Sequence, residues 1–271
     1  MSRPVGQTDE LARHVFFVGP RKSGTSAFYD VFLRHGIRLC RHTKESFFFE
    51  REEPDIAQYE AGFGLDPAEP FVEISPSYFT SRRAMDNLKA QFPLAAIVIT
   101  LRHPVDRFIS SINQVRAIGL EREFDRVGDA DQFRNAKLAS DYSDHIEAWK
   151  ERFPSGVLVI KQVSDGRYSA EAYAALCKLL NCEISDQEFL SHRANPAVTS
   201  RSASLTKLLR RAIRTARRLG GAKIVRRFRF LKPLFFRTKQ DKEDGIDRAE
   251  IEALLAREID YFERLPDCQR F

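Results

Sequence analysis

The 271-residue sequence predicts an α/β protein in three layers, a central, mostly parallel sheet flanked by helices on both faces. Three observations predict it. Short apolar runs rich in β-branched and aromatic residues recur along the chain, amphipathic helical patterns lie between them, and turns bearing glycine or proline separate the two. The composition, 43% hydrophobic and 30% charged, is that of an ordinary globular domain and excludes wholesale disorder. No internal repeat or low-complexity linker interrupts the pattern, so residues 1–271 read as a single domain.

The first predicted strand covers residues 15–18. A Gly/Ser turn follows, then Ala27, Phe28, Val31 and Phe32 at the spacing of one helical face. Further strands are predicted at 37–40, 71–74, 96–101 and 157–161. After the fourth, Val105, Phe108, Ile109, Ile112 and Val115 repeat the helical spacing, and Pro104 suits the first turn of that helix. Such strand-turn-helix corners matter because ligands of open α/β sheets sit outside the carboxyl ends of the strands. A helix over 170–180 follows the fifth strand. Nearer the C-terminus, Leu205, Leu208, Leu209, Ala212, Ile213, Ala216 and Leu219 line one face of a helix that carries arginines on its other faces and stops at Gly220-Gly221. The last helix starts with Asp247 and Glu250 in a capping arrangement and is expected to bury Ile251, Leu254, Leu255, Ile259 and Phe262.

The net charge of +6 and the pI near 9.2 conceal an uneven distribution. Of the 44 Lys and Arg residues, 14 fall in residues 201–240, which hold no Asp or Glu; the rest of the chain carries all 38 acidic residues and is net acidic. The longest mostly apolar stretch, residues 94–101, falls far short of the ~20 residues that span a bilayer. The opening MSRPVGQTDELARH has no signal-peptide apolar region, and a cytoplasmic location is expected. Cys40, Cys177, Cys182 and Cys268 form no CxxC pair and accompany no His cluster, so neither a metal site nor a disulfide framework is expected.

The stretch from Val15 to Ser26, VFFVGPRKSGTS, runs from strand through a glycine-bearing loop into a helix. Backbone N–H groups at such a helix start bind phosphate, and Lys22 adds a full positive charge. An NTPase P-loop requires G-x-x-x-x-G-K-[ST]. Here Gly19 and Gly24 have that separation, but Thr25 occupies the lysine position, which disfavours an ATP or GTP hydrolase.

GPRKSGTSAF resembles the 5′-phosphosulfate loop of sulfotransferases that use 3′-phosphoadenosine 5′-phosphosulfate (PAPS), in the form found in their heparan sulfate-like carbohydrate branch. The resemblance implies a P-loop-type fold and assigns Arg21, Lys22, Ser23, Gly24, Thr25 and Ser26 to the donor phosphate. The family's second signature, a strand-terminal arginine followed eight residues on by a serine, matches LRHPVDRFIS, with Arg102 and Ser110 at the positions that hold the 3′-phosphate. Physically, an arginine at a sheet's carboxyl edge offers a planar fork for phosphate, and a serine about two turns into the next helix adds a hydrogen bond. Two grips at separate strand ends suit a ligand with phosphates at both ends.

Between them, RHTKESFFFE is similar to the family's K-E-x-H-F-F segment, whose glutamate removes the acceptor's proton; Glu45 matches it, with His42 as the second candidate base. Phe47, Phe48 and Phe49 are expected to pack the core beneath the site, with ring stacking against a sugar or the adenine as the second reading. VEISPSYF resembles the family's E-K-[ST]-P-x-Y-F, but Ile74 replaces its lysine, Phe47 the histidine of K-E-x-H, and His103 the aspartate after the second-motif arginine. These departures bear on the acceptor, so glycosaminoglycan sulfation does not follow. Tyr78 and Arg82 read as packing and surface residues, with contact to acceptor or nucleotide as the alternative. Residues 195–201 fall where relatives fold a loop over the nucleotide.

The resemblance implies sulfuryl transfer from PAPS to a hydroxyl of a carbohydrate or glycolipid, with Glu45 as general base, Lys22 stabilising the leaving phosphate and no metal. Two other readings stand beside it, a kinase-like P-loop enzyme of altered motif and a basic binding module for a membrane or nucleic acid. No nucleic-acid partner is expected. The segment 201–240 offers a surface for an acidic glycan or for peripheral contact with an anionic membrane.

Overall fold

The computed structural model describes residues 14–39, 44–63, 70–117, 130–164, 166–191, 198–200, 236–238 and 247–271. Along them run β1 (Val15–Gly19), α1 (Thr25–Arg34), α2 (Ile56–Phe63), β2 (Val72–Ile74), α3 (Arg82–Gln91), β3 (Ala96–Leu101), α4 (Pro104–Ala117), α5 (Ala130–Leu138), α6 (Tyr142–Arg152) and β4 (Val157–Ser164). There follow β5 (Arg167–Tyr168), α7 (Ala170–Leu180), α8 (Asp186–Ser191), β6 (Val198–Ser200), β7 (Phe236–Thr238), α9 (Arg248–Leu254), α10 (Ala256–Arg264) and β8 (Cys268–Arg270).

The main sheet has the order β2-β1-β3-β4-β5, with β8 also on β4. β2, β1, β3 and β4 pair in parallel, and β5 and β8 pair with β4 antiparallel. The alternation of the buried strands explains the layers. Phe16, Val18, Ile97, Ile99, Val157 and Val159 face one way, onto Met85 and Leu88 of α3, Trp149 of α6 and Phe262 of α10. Val15, Phe17, Ala96, Val98, Leu158 and Ile160 face the other way, onto Phe28, Val31 and Phe32 of α1, Leu176 of α7 and Phe189 of α8. A smaller cluster joins Val105, Phe108 and Ile112 of α4 to Ala136 of α5 and Ile251 of α9.

This is the predicted α/β fold, with three strands close to their expected limits and two departures. Residues 37–39 do not form a strand. Leu39 makes one parallel bridge to Val72, because β2 is three residues long and gives the passing chain little edge to pair with. The C-terminal helix is two helices. Asp247 caps the first by accepting from the N–H groups of Ala249 (2.9 Å) and Glu250 (3.3 Å), and the chain bends at Leu255. That bend turns Leu254 outward, 40% exposed, against the expectation that it is buried. The predicted helix over 205–219, His42 and Cys40 lie outside the described residues, and residues 198–200 form β6, paired with β7. Among the described residues no helix is long and apolar enough to cross a membrane.

The strand order fixes where a ligand can bind. β1 connects through α1 to β2 on one side, whereas β3 connects through α4 to β4 on the other. The connections therefore diverge between β1 and β3, the point at which open α/β sheets have their ligand crevice, outside the carboxyl ends of the strands.

Candidate active site

The loop after β1 forms one wall of that crevice and the start of α4 the other. Gly19 ends β1 at φ +143°, and a Cβ there would lie 2.6 Å from Phe79 Cβ and 2.7 Å from Pro76 O, so no side chain fits. The loop is fastened from below. Thr100 of β3 donates to Gly19 O (3.0 Å), and its hydroxyl lies 2.7 Å from that of Ser23, which donates to Pro20 O (2.6 Å). Gln162 of β4 donates to Ser23 O at 3.0 Å, and Tyr168 of β5 donates to the same carbonyl. Ser23 is fully buried, so its hydroxyl fastens the loop rather than facing a phosphate.

Gly24, at φ +87°, caps α1 without a side-chain hydrogen bond to the first turn. The leading N–H groups of the helix thus meet no capping carboxylate or hydroxyl from it, the condition under which a helix start takes an anion. Lys22, also in the left-handed region, is largely buried; burial first and the nearby Arg102 charge second lower its pKa. The two phosphate motifs therefore come close enough to act on each other. Ser110 lies half-buried in α4, and Tyr142 donates to Arg102 O at 2.7 Å, fixing the turn that leaves β3.

Lys44 joins this group, and the sequence reading assigned it no role. Its ammonium donates to Ser26 Oγ (2.8 Å) and Thr25 Oγ1 (3.3 Å) at the head of α1. Burial is the main cause of its lowered pKa; Lys22 and Arg21 add to the effect, and Glu45 and Asp30 oppose it. Arg21, Lys22, Lys44 and Arg102 thus gather positive charge at the mouth of the crevice, an arrangement suited to a polyanion. The available sequence signal was a lysine directly beside the candidate base.

Glu45 lies on the outer side of the loop, 3.3 Å from Arg21, with side chains 28% and 51% exposed respectively. Its segment is pinned from within by Glu73 of β2, which is 1% exposed. Glu73 Oε1 accepts from Ser46 Oγ (2.5 Å), Ser75 Oγ (2.6 Å) and Tyr78 (2.8 Å), and Oε2 accepts from Tyr59. The Tyr78 oxygen in turn accepts from the N–H groups of Phe48 (3.1 Å) and Phe49 (3.3 Å), and Ser46 N–H donates to Ser75 Oγ (3.2 Å). Burial, with the Glu73 charge second, holds the Tyr78 phenol well above its usual range, so it stays a neutral donor. Tyr78 is thus a packing and positioning residue. Arg82 is exposed at the start of α3.

Phe48 and Phe49 are core residues as expected, but Phe47 is not. It adopts φ +55° and ψ +17°, which turns its ring outward, 44% exposed, with the Arg21 guanidinium 5.3 Å from the ring centre. The run of three phenylalanines reads as uniformly apolar in sequence, and only the left-handed kink separates the first from the others.

No protein-family model matches the chain. It is 29% identical over 150 residues to human heparan sulfate glucosamine 3-O-sulfotransferase 6, and 28% identical over 152 residues to the mouse protein of that name. Each match takes in 51% of this chain and 42% of the relative, so the chain spans less than half the length of the curated relatives it matches. Among solved structures, a sulfotransferase from Alicyclobacillus acidocaldarius aligns with a TM-score of 0.48 at 20% identity, covering 63% of this chain and 81% of that one. The sulfotransferase domain of the Synechococcus PCC 7002 olefin synthase aligns at 0.47 and 13% identity, covering 72% and 82%. In its two phosphate motifs and in its similarity to these curated relatives, the chain resembles the carbohydrate branch of the PAPS-dependent sulfotransferases.

Proposed function

We propose that this chain transfers a sulfuryl group from PAPS to a hydroxyl of a carbohydrate or glycolipid. The observation that carries the proposal is the pair of cationic grips at the carboxyl ends of the adjacent strands β1 and β3, on either side of the crevice where their connections diverge. The donor set fits a nucleotide with phosphates at both ends. Lys22 and the N–H groups of Gly24, Thr25 and Ser26 would hold the 5′ end, and Arg102 and Ser110 the 3′-phosphate.

When bound, PAPS supplies the sulfuryl group and a phosphate leaving group. Glu45 takes the acceptor's hydroxyl proton as that oxygen bonds to sulfur and the bond from sulfur to the phosphate oxygen breaks. Lys22 and the N–H groups at the head of α1 stabilise the negative charge that passes to that phosphate oxygen. Lys44, already bonded to Thr25 and Ser26, keeps both hydroxyls oriented and adds charge to the same end. The proposed displacement needs no covalent nucleophile, and positioning and electrostatics would provide the rate.

The absence of lysine after Gly24 distinguishes this reading from a kinase-like one. Thermal-shift measurements with adenosine 3′,5′-bisphosphate and with ATP plus magnesium separate the two. At a hundred times its Kd, the bisphosphate should stabilise the fold by about 2.7 kcal/mol, a rise of several degrees in Tm. Stabilisation by ATP and magnesium alone would overturn the proposal. The basic segment 201–240 supports a second role, peripheral contact with an anionic membrane from the cytoplasmic side. Sedimentation with liposomes tests it, and equal recovery in the supernatant with and without anionic lipid counts against it.

A further inference from the structure

We infer that Phe47 is the acceptor platform, a ring that receives the C–H face of a pyranose and sets the sugar's hydroxyl against Glu45. The inference rests on the sulfotransferase reading above and adds the chemistry of the acceptor side. Four observations carry it. Phe47 stands two residues from the candidate base, and it is exposed although the next two phenylalanines are fully buried. Its backbone occupies the left-handed region, where a bulky residue is an outlier and where strain tends to mark functional positions.

That strained conformation is imposed from both sides. Ser46 is bonded to Glu73 and Ser75, and the Phe48 N–H is held by the Ser46 and Tyr78 hydroxyls, so the peptide units around Phe47 cannot relax without breaking a buried network. The protein thus spends rigidity on turning one aromatic ring toward solvent. Finally, Arg21 links the ring to the base, with its guanidinium over Phe47 and one of its nitrogens on Glu45. An exposed ion pair of this kind contributes little, so an incoming sugar can displace Arg21 from the ring face and leave the Glu45 carboxylate to accept its proton. A ring with apolar C–H bonds on one side and hydroxyls at its rim matches a flat aromatic face beside a carboxylate.

Two substitutions separate this role from a structural one. Phe47→Asn removes the ring but tolerates the left-handed backbone, and Phe47→Trp keeps an aromatic face. Calorimetric titration of adenosine 3′,5′-bisphosphate into wild type and both variants comes first. Neutral tetrasaccharides of N-acetylglucosamine, glucose and galactose are then titrated into each bisphosphate complex. The expected result is bisphosphate binding in all three proteins and binding of at least one tetrasaccharide by wild type and Phe47→Trp. In Phe47→Asn the sugar should bind about tenfold more weakly, with Tm within about 2 °C of wild type. Unchanged sugar affinity in Phe47→Asn overturns the inference, as does the absence of sugar binding by a wild-type protein that binds the bisphosphate; either leaves the sulfotransferase reading standing. A large fall in Tm with loss of bisphosphate binding in Phe47→Asn makes the ring a structural prop and also overturns it. Failure of wild type to bind the bisphosphate removes the reading on which the inference rests.

Discussion

In the proposed reaction Lys22 and Glu45 would carry separable parts of the chemistry. Glu45→Gln keeps the size and polarity of the side chain but cannot take a proton, and kcat should fall by about 10²- to 10⁴-fold with little change in nucleotide affinity. Lys22→Ala should lower kcat by a comparable 10²- to 10³-fold and weaken nucleotide binding as well, with circular dichroism unchanged in both variants. Wild-type turnover in either variant contradicts the role given to that residue. The two buried lysines also make stability depend on pH. Lys22 and Lys44 both titrate below the ordinary lysine value of 10.5, so between their lowered values and 10.5 the unfolded chain binds more protons than the folded one. The cost of burying these charges is therefore fully present at neutral pH and is relieved as pH rises through that window. Relative to a Lys22→Met, Lys44→Met double variant, wild type should gain urea stability from pH 7 to pH 10; a difference that is flat or falls contradicts the burial argument. Lys22 was legible in the sequence because its loop has a recognisable pattern. Lys44 was visible only as the lysine beside Glu45; its contact with Thr25 and Ser26 across a turn is encoded by no local period.

The proposed functional elements are the loop after β1 and the segment 44–49, and neighbouring strands hold both in place. Thr100 of β3 and Gln162 of β4 lock the loop, and Glu73 of β2 locks the segment through Ser46, Ser75 and Tyr78. Glu73→Ala would orphan several buried hydroxyls and open a cavity, and should destabilise the fold by about 3 kcal/mol in urea titration. Because the same network pins Ser46 beside the proposed base Glu45, kcat at a permissive temperature should fall more than nucleotide affinity, a split that simple destabilisation would not give. Gly19→Ala forces a Cβ into Phe79 and Pro76 O and should cost about 2 kcal/mol or more. Strands β1, β3 and β4 were legible because they are buried on both faces and read as continuous apolar runs. Of the expected strand over 37–40, the described residues 37–39 make one bridge, from Leu39 to Val72 of β2, itself three residues long. Phe47 was misread because composition cannot report a left-handed kink.

At the scale of the molecule, the divergence of connections between β1 and β3 brings together two phosphate motifs far apart in sequence, and the positive charge at that crevice is local. The overall balance of +6 is a separate matter, because the surplus lies in residues 201–240 while the rest of the chain is net acidic. Nucleotide binding should therefore depend on Lys22 and Arg102 and be little altered by neutralising lysines and arginines in 201–240, which isothermal titration of such a variant with adenosine 3′,5′-bisphosphate would show. A comparable loss of affinity in that variant would mean that the segment belongs to the donor site. The central claim, that the crevice transfers a sulfuryl group with Glu45 as base, is tested most directly by incubating the protein with radiolabelled PAPS and a panel of glycans and glycolipids. Label should move to at least one acceptor with wild type and be reduced by at least about a hundredfold with Glu45→Gln. The account is contradicted if folded, bisphosphate-binding wild type labels none of them, or if Glu45→Gln labels them equally well.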